Sequence, residues 1–154
     1  MMGRPTNLHL DDQLCFALYA ATNTVTRAYR PLLQRIALTY PQYLVMLTLW
    51  QHGELSVSEI AGRLALPGHA ISPLVERLED AGFVLRHRAA PDCRVVHVSL
   101  TAAGAGLESA ASTVQRSVAC DTGLTPEAMA ELREQLHELV DRMTHPTPTE
   151  GALS

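Results

Sequence analysis

With 154 residues, 47% of them apolar and 5% aromatic, the chain is long enough for one compact domain with flanking helices. Its formal net charge of -4 excludes a uniformly basic coat, so any nucleic-acid surface has to be local. No apolar run approaches the ~20 residues of a membrane helix. The N-terminus lacks the apolar stretch of a secretory signal, and three cysteines make no disulfide framework, which points to a reducing, cytoplasmic setting.

Residues 1–10 read as a loose arm. From Asp11 to about Ile36, Leu14, Ala17, Leu18, Ala21, Val25, Ala28, Leu32 and Ile36 recur at three- and four-residue steps, the period of an amphipathic helix. Asp11 and Asp12 suit its cap and its N-terminal dipole, and Pro31 should kink or divide it. Thr39 caps a second helix, Tyr40 to Trp50, with Pro41 in its first turn and His52-Gly53 at its end. Ser56 caps a short third helix, Val57 to Leu64, with Glu59 at the capping-box position. After the break at Leu66-Pro67-Gly68, a fourth runs from about Ala70 to Ala81 and stops at Gly82.

Two β-rich runs follow, residues 83–88 and 95–100, joined by a segment whose Pro91-Asp92 pair favours a turn. Together they read as a hairpin with a basic tip. The helical pattern resumes from Thr101 to about Cys120. A last helix, Pro126 to Met143 behind a Thr125 cap, carries Met129, Leu132, Leu136, Leu139 and Met143 on one stripe, the pattern of a dimer seam. From Thr144 the tail should fray.

The expected fold is therefore mainly α with a small β-hairpin: a winged helix-turn-helix flanked by N- and C-terminal helices. Such a module places its second helix in the major groove of double-stranded DNA, while the wing reaches the flanking backbone or minor groove. All 12 basic residues are arginines, which suit phosphates and base edges. Arg77 falls on the second helix, and Arg86, Arg88 and Arg94 fall on the wing against a single acid, Asp92. Any one of these arginines taken alone reads better as part of a solvated face; the order of elements and the local charge together favour DNA.

The wing sequence Asp92-Cys93-Arg94, followed by alternating apolar residues and Leu100-Thr101-Ala102-Ala103-Gly104, resembles the MarR family. The segments Leu10-Asp11-Asp12-Gln13-Leu14-Cys15-Phe16-Ala17-Leu18-Tyr19 and Leu38-Thr39-Tyr40-Pro41-Gln42-Tyr43-Leu44 are similar to its organic-hydroperoxide regulator branch, OhrR, of the two-cysteine type. The resemblance covers roughly residues 8 to 120. It implies a homodimer with residues 11–38 as dimerisation and sensor helix, 39–100 as DNA-binding lobe, 101–144 as C-terminal dimerisation helices and 145–154 as tail. It also implies that Arg94 enters the minor groove and that Asp92 orients it. The recognition helix departs from the branch. Its start reads Pro67-Gly68-His69-Ala70-Ile71-Ser72-Pro73 with Glu76 at a usually basic position, so the contacts of small hydroxyl residues are partly lost, and His69 and Ser72, with Ala70, are left to face the DNA.

Cys15, near the start of the first helix, stands where the helix dipole favours a thiolate. On its own it reads either as a small buried hydrophobe or as a reactive thiol. The resemblance implies that Tyr29 and Tyr40 hydrogen-bond its sulfur, with Tyr19 nearby, and that Cys120 of the opposite subunit resolves the oxidised thiol. Without it, the tyrosines read equally as interfacial core residues. Cys93 reads as an incidental exposed residue and secondary oxidation site. The seven histidines form no close ligand cluster in sequence, so neither a metal nor a cofactor is expected.

The function that follows is a non-enzymatic repressor, released from operator DNA when organic hydroperoxide oxidises Cys15. Two alternatives remain at this point. One is a repressor released by a reversible phenolic or apolar acid ligand. The other is a thiol peroxidase, for which the chain lacks a thioredoxin-like pattern.

Overall fold

A computed structural model of the chain describes residues 5–88 and 94–146. The expectations for Asp92, for Cys93, for the first four residues of the arm and for the tail beyond residue 146 lie outside those residues. The described chain is mostly helical, with one small antiparallel sheet.

Helix α1, Leu14–Gln34, begins three residues later than its apolar period suggests. Residues Thr6–Leu8 and Leu10–Asp12 form two 3-10 turns instead. The Gln13 side-chain amide donates to the carbonyls of Asn7 at 2.6 Å and His9 at 3.0 Å, so the acidic pair sits in a turn and caps nothing. Pro31 does not divide α1. It lies in the last turn, where it removes one hydrogen bond from an element that ends at Gln34 anyway. The end is closed by Ala37 in a left-handed conformation (φ 59°), with the Leu38 N–H donating to Leu33 at 3.1 Å.

Helices α2, Tyr40–His52, and α3, Val57–Leu64, start at the expected caps: Ser56 forms the expected capping box with Glu59, and Thr39 forms a second one with Gln42 that the sequence reading did not name. Between them lies a two-residue strand, β1 (Leu55–Ser56), too short to leave a sequence period. Helix α4, Gly68–Asp80, takes in Gly68 and His69 as its first turn, with Pro67 as a cap that offers no side-chain acceptor.

Strands β2, Val84–Arg88, and β3, Val96–Leu100, pair in the order β1-β3-β2, with Val84 opposite Leu100 and Arg88 opposite Val96. The helical stretch after β3 breaks at Leu107 into α5, Ala102–Gly106, and α6, Glu108–Asp121.

The chain forms two compact units, Met1–Val118 and Ala119–Ser154. In the first, Met46 and Leu49 of α2, Ile60 of α3, Ile71, Val75 and Leu78 of α4, Val84 of β2 and Val98 of β3 are fully buried in one core. That core sets α3, α4 and the hairpin against one another as a winged helix. The second unit carries α7, Pro126–Thr144, in which no residue is buried. Leu132, Leu136, Val140 and Met143 form an uncovered apolar face along it.

Candidate nucleic-acid interface

The N-terminus of α4 and the wing enclose a groove of about 460 Å³. Its lining includes Ser56 and Ser58 at the start of α3, Gly68 and Ser72 of α4, and Arg86, Arg88 and Arg94 of the wing. Burial of Ile71, Val75 and Leu78 turns the opposite face of α4 outward. His69 is exposed and Ala70 half-buried in the first turn, next to Gly68. The Ser72 hydroxyl, on the groove lining, donates back to the Gly68 carbonyl at 3.4 Å. The Ala70 N–H donates to the Pro67 carbonyl at 3.0 Å, and since Pro67 gives no side-chain cap, the Gly68 and His69 N–H groups ahead of it suit a phosphate. Ser72, Arg86 and Arg94 are thus brought together, whereas Arg77 is exposed further along α4 and does not line the groove.

Arg86 has a partner within the protein. Its Nε and Nη2 donate to Glu79 Oε1 at 3.1 and 3.0 Å, and its backbone N–H donates to Oε2 at 2.7 Å. These bonds, the backbone one foremost, hold the Glu79 carboxyl below its ordinary value of 4.5. The Ser56 backbone N–H and hydroxyl do the same for Glu59. A carboxylate with a depressed folded-state pKa contributes stability above its unfolded value and loses it as the pH falls through the folded one. Melting temperature should therefore drop as the pH is lowered from about 5 to about 3, and Glu59→Gln or Glu79→Gln should each remove part of that drop.

The other face of the hairpin holds a cluster that sequence reading missed. His87 and His97 lie opposite each other in the β2–β3 register, their rings stacked at 5.7 Å and 23°. Glu54 Oε1 lies 2.7 Å from His87 Nε2 and 3.8 Å from His97 Nδ1. The alternation of the two strands carries the signal, but only once their register is known.

Cys15 is exposed in the first turn of α1, and Cys120 is exposed near the end of α6. Tyr29 and Tyr40 lie 5.3 Å apart between ring centroids, and Tyr43, unremarked in the sequence, completes a triangle at 5.3 and 6.1 Å. Burial, then charge repulsion from Tyr29, raises the Tyr43 phenol pKa; the same causes raise that of Tyr40. Both stay protonated donors at neutral pH. Tyr19 is 68% exposed, so it does not share this cluster's buried setting. Within one chain the sulfur and the cluster are far apart. Cys15 and Tyr29 sit on the same helix, and 14 residues of helical rise separate them by about 21 Å. No helix among the described residues is long and apolar enough to cross a membrane.

The profile of the MarR family matches residues 38–96, which run from the turn between α1 and α2 to the first residue of β3. The chain is 44% identical over 142 residues to the helix-turn-helix-type transcriptional regulator TtmR of Methylorubrum extorquens, covering 88% of this chain and 73% of that one. It is 34% identical over 143 residues to the organic hydroperoxide resistance transcriptional regulator of Bacillus subtilis, covering 93% and 97%. Among solved structures, reduced AbfR bound to DNA superposes with a TM-score of 0.73 at 28% identity, over 87% of this chain and 93% of that one. Disulfide-formed AbfR gives 0.64 at 30%, over 86% and 92%.

Proposed function

This chain belongs to the MarR family, and from that membership we propose a cytoplasmic repressor that binds operator DNA as a homodimer and lets go when organic hydroperoxide oxidises Cys15. Transcriptional regulation through DNA binding comes with the family. The observation that carries the redox reading is an exposed Cys15 sulfur in the first turn of a 21-residue helix, open to a small oxidant. The names of the Bacillus regulator and of the AbfR structures support it.

The thiolate attacks the peroxide O–O bond, becoming a sulfenic acid while the alkoxide leaves and takes up a proton. The Cys120 thiol of the other subunit then attacks the sulfenic sulfur, forms the disulfide and expels water. A helix span of about 21 Å makes it impossible for Cys15 to reach Tyr29 of its own chain, so any phenol donors to the sulfur come from a second copy. The uncovered apolar face of α7 supports such a copy. The DNA-facing set is His69, Ala70, Ser72 and Arg94, with Asp92 orienting Arg94.

Titration of the reduced protein with cumene hydroperoxide, read by promoter binding and non-reducing gel mobility, tests this. The wild type should lose binding and gain a reducible band of dimer mass. Cys15→Ser should keep binding and ignore the oxidant, and Cys120→Ser should form no such band. Release of Cys15→Ser by peroxide would sink the mechanism.

A second reading rests on a groove of about 320 Å³ between α2 and α6, lined by Tyr43, Leu47, Trp50, Gln51, Glu108 and Gln115 among others. Its size suits a small aromatic ligand, and the Glu108 carboxylate favours a phenol over an acid. On that reading, release needs a ligand and Cys15 is dispensable.

A further inference from the structure

In the order β1-β3-β2, strand β2 is an outer strand, and the Arg86 N–H that it turns away from β3 would have no ladder partner. Glu79 of α4 meets it. One carboxylate thus satisfies the edge of the wing with one oxygen and grips the guanidinium of the same residue with the other. Strand alternation puts Arg86 on the side facing α4, with Val84 and Arg88, and it lines the groove beside Ser72 and Arg94. Glu76 and Asp80 of the same helix also draw on its charge. A cation built into a DNA-facing groove is therefore turned inward by the helix meant to read the bases.

We propose that Glu79 is a positioning residue for DNA recognition: it fixes the wing on α4 through Arg86 and withholds that arginine from the phosphates. The inference rests on the reading of the chain as a DNA-binding regulator. Each phosphate neutralised by a cation adds about 0.9 to the slope of log K against log salt and does so at any sequence. Keeping Arg86 on Glu79 lowers affinity for arbitrary DNA more than for the operator, where a correctly set wing and helix contact the duplex together.

The test uses the full-length reduced protein and two duplexes of equal length, the promoter region of its own gene and a scrambled version. Binding is followed from about 50 to about 300 mM salt. Glu79→Gln keeps an oxygen for the Arg86 N–H but removes the charge. It should bind scrambled DNA about 3–10-fold tighter, with a slope steeper by up to about one and a smaller preference for the promoter. Arg86→Gln should leave the slope unchanged on both duplexes, since that residue touches no phosphate. A brace of merely structural importance would move the melting temperature but not the salt slope. A slope shallower by about one in Arg86→Gln, or an unchanged slope and preference in Glu79→Gln, overturns the proposal. If Glu79→Gln does not fold, the Arg86→Gln slope decides alone. Absence of any promoter preference in the wild type would instead remove the DNA-binding reading on which the proposal stands.

Discussion

Replacing Gly104 with alanine is expected to lower stability by about 3 kcal/mol and the melting temperature by roughly 6–12 °C. Gly104 is buried in α5, and a Cβ there would run into the backbone carbonyl of Phe83. The obstacle is main chain, so no rotamer change relieves it. Four hydrogen bonds hold the same place. Thr101 caps α5 by accepting from the Gly104 N–H at 3.0 Å and donates to the Gly82 carbonyl at 2.6 Å. Its own N–H donates to Phe83 at 3.0 Å, and the Trp50 indole donates to the Gly104 carbonyl at 3.0 Å. The Leu-Thr-x-x-Gly motif is therefore the joint that ties the end of the wing to the turn after α4 and to α2. Gly106, also in α5, has nothing within 4 Å of the corresponding position. Gly106→Ala should change the melting temperature little, and comparable losses in both variants would show that helix geometry, not the Phe83 contact, is responsible.

That joint also shows what a sequence discloses. The motif, the Thr39 cap, the Ser56–Glu59 capping box and the hairpin were legible because each is a local pattern, fixed by residues within a few positions of one another. The order of helices and wing followed from them. What stayed hidden depends on pairs that only the fold brings together. Arg86 reads as one more wing cation until α4 delivers Glu79 to it. His87 and His97 read as scattered until the strand register sets them opposite each other. Strand β1 has two residues and no period to detect, and it exists because β3 offers it an edge. Tyr43 follows Tyr40 by three residues on α2, a spacing that could have revealed the third ring. The late start of α1 turned on the Gln13 side chain, which satisfies two loop carbonyls and keeps Asp11 and Asp12 out of the helix.

Replacing Arg94 with alanine is expected to reduce operator affinity about 10–100-fold and to make the salt slope shallower by about one. Arg94 is exposed at the end of the wing, just before β3, and lines the same groove as Ser72 of α4. Of the three arginines lining that groove, Arg86 is held on α4. Arg86 is matched by Glu79 and has Glu76 and Asp80 near, all on α4. Arg94 lies just before β3 in the wing, and the family resemblance assigns it to the minor groove, which is only about 6 Å wide. On this reading its loss removes a contact to DNA, so affinity and salt slope should fall together. Arg77→Ala, which alters an exposed residue outside the groove, should weaken binding less. If Arg94→Ala binds the promoter within twofold of the wild type, the wing of this chain positions the recognition helix without entering the DNA, and the groove is read by α4 alone.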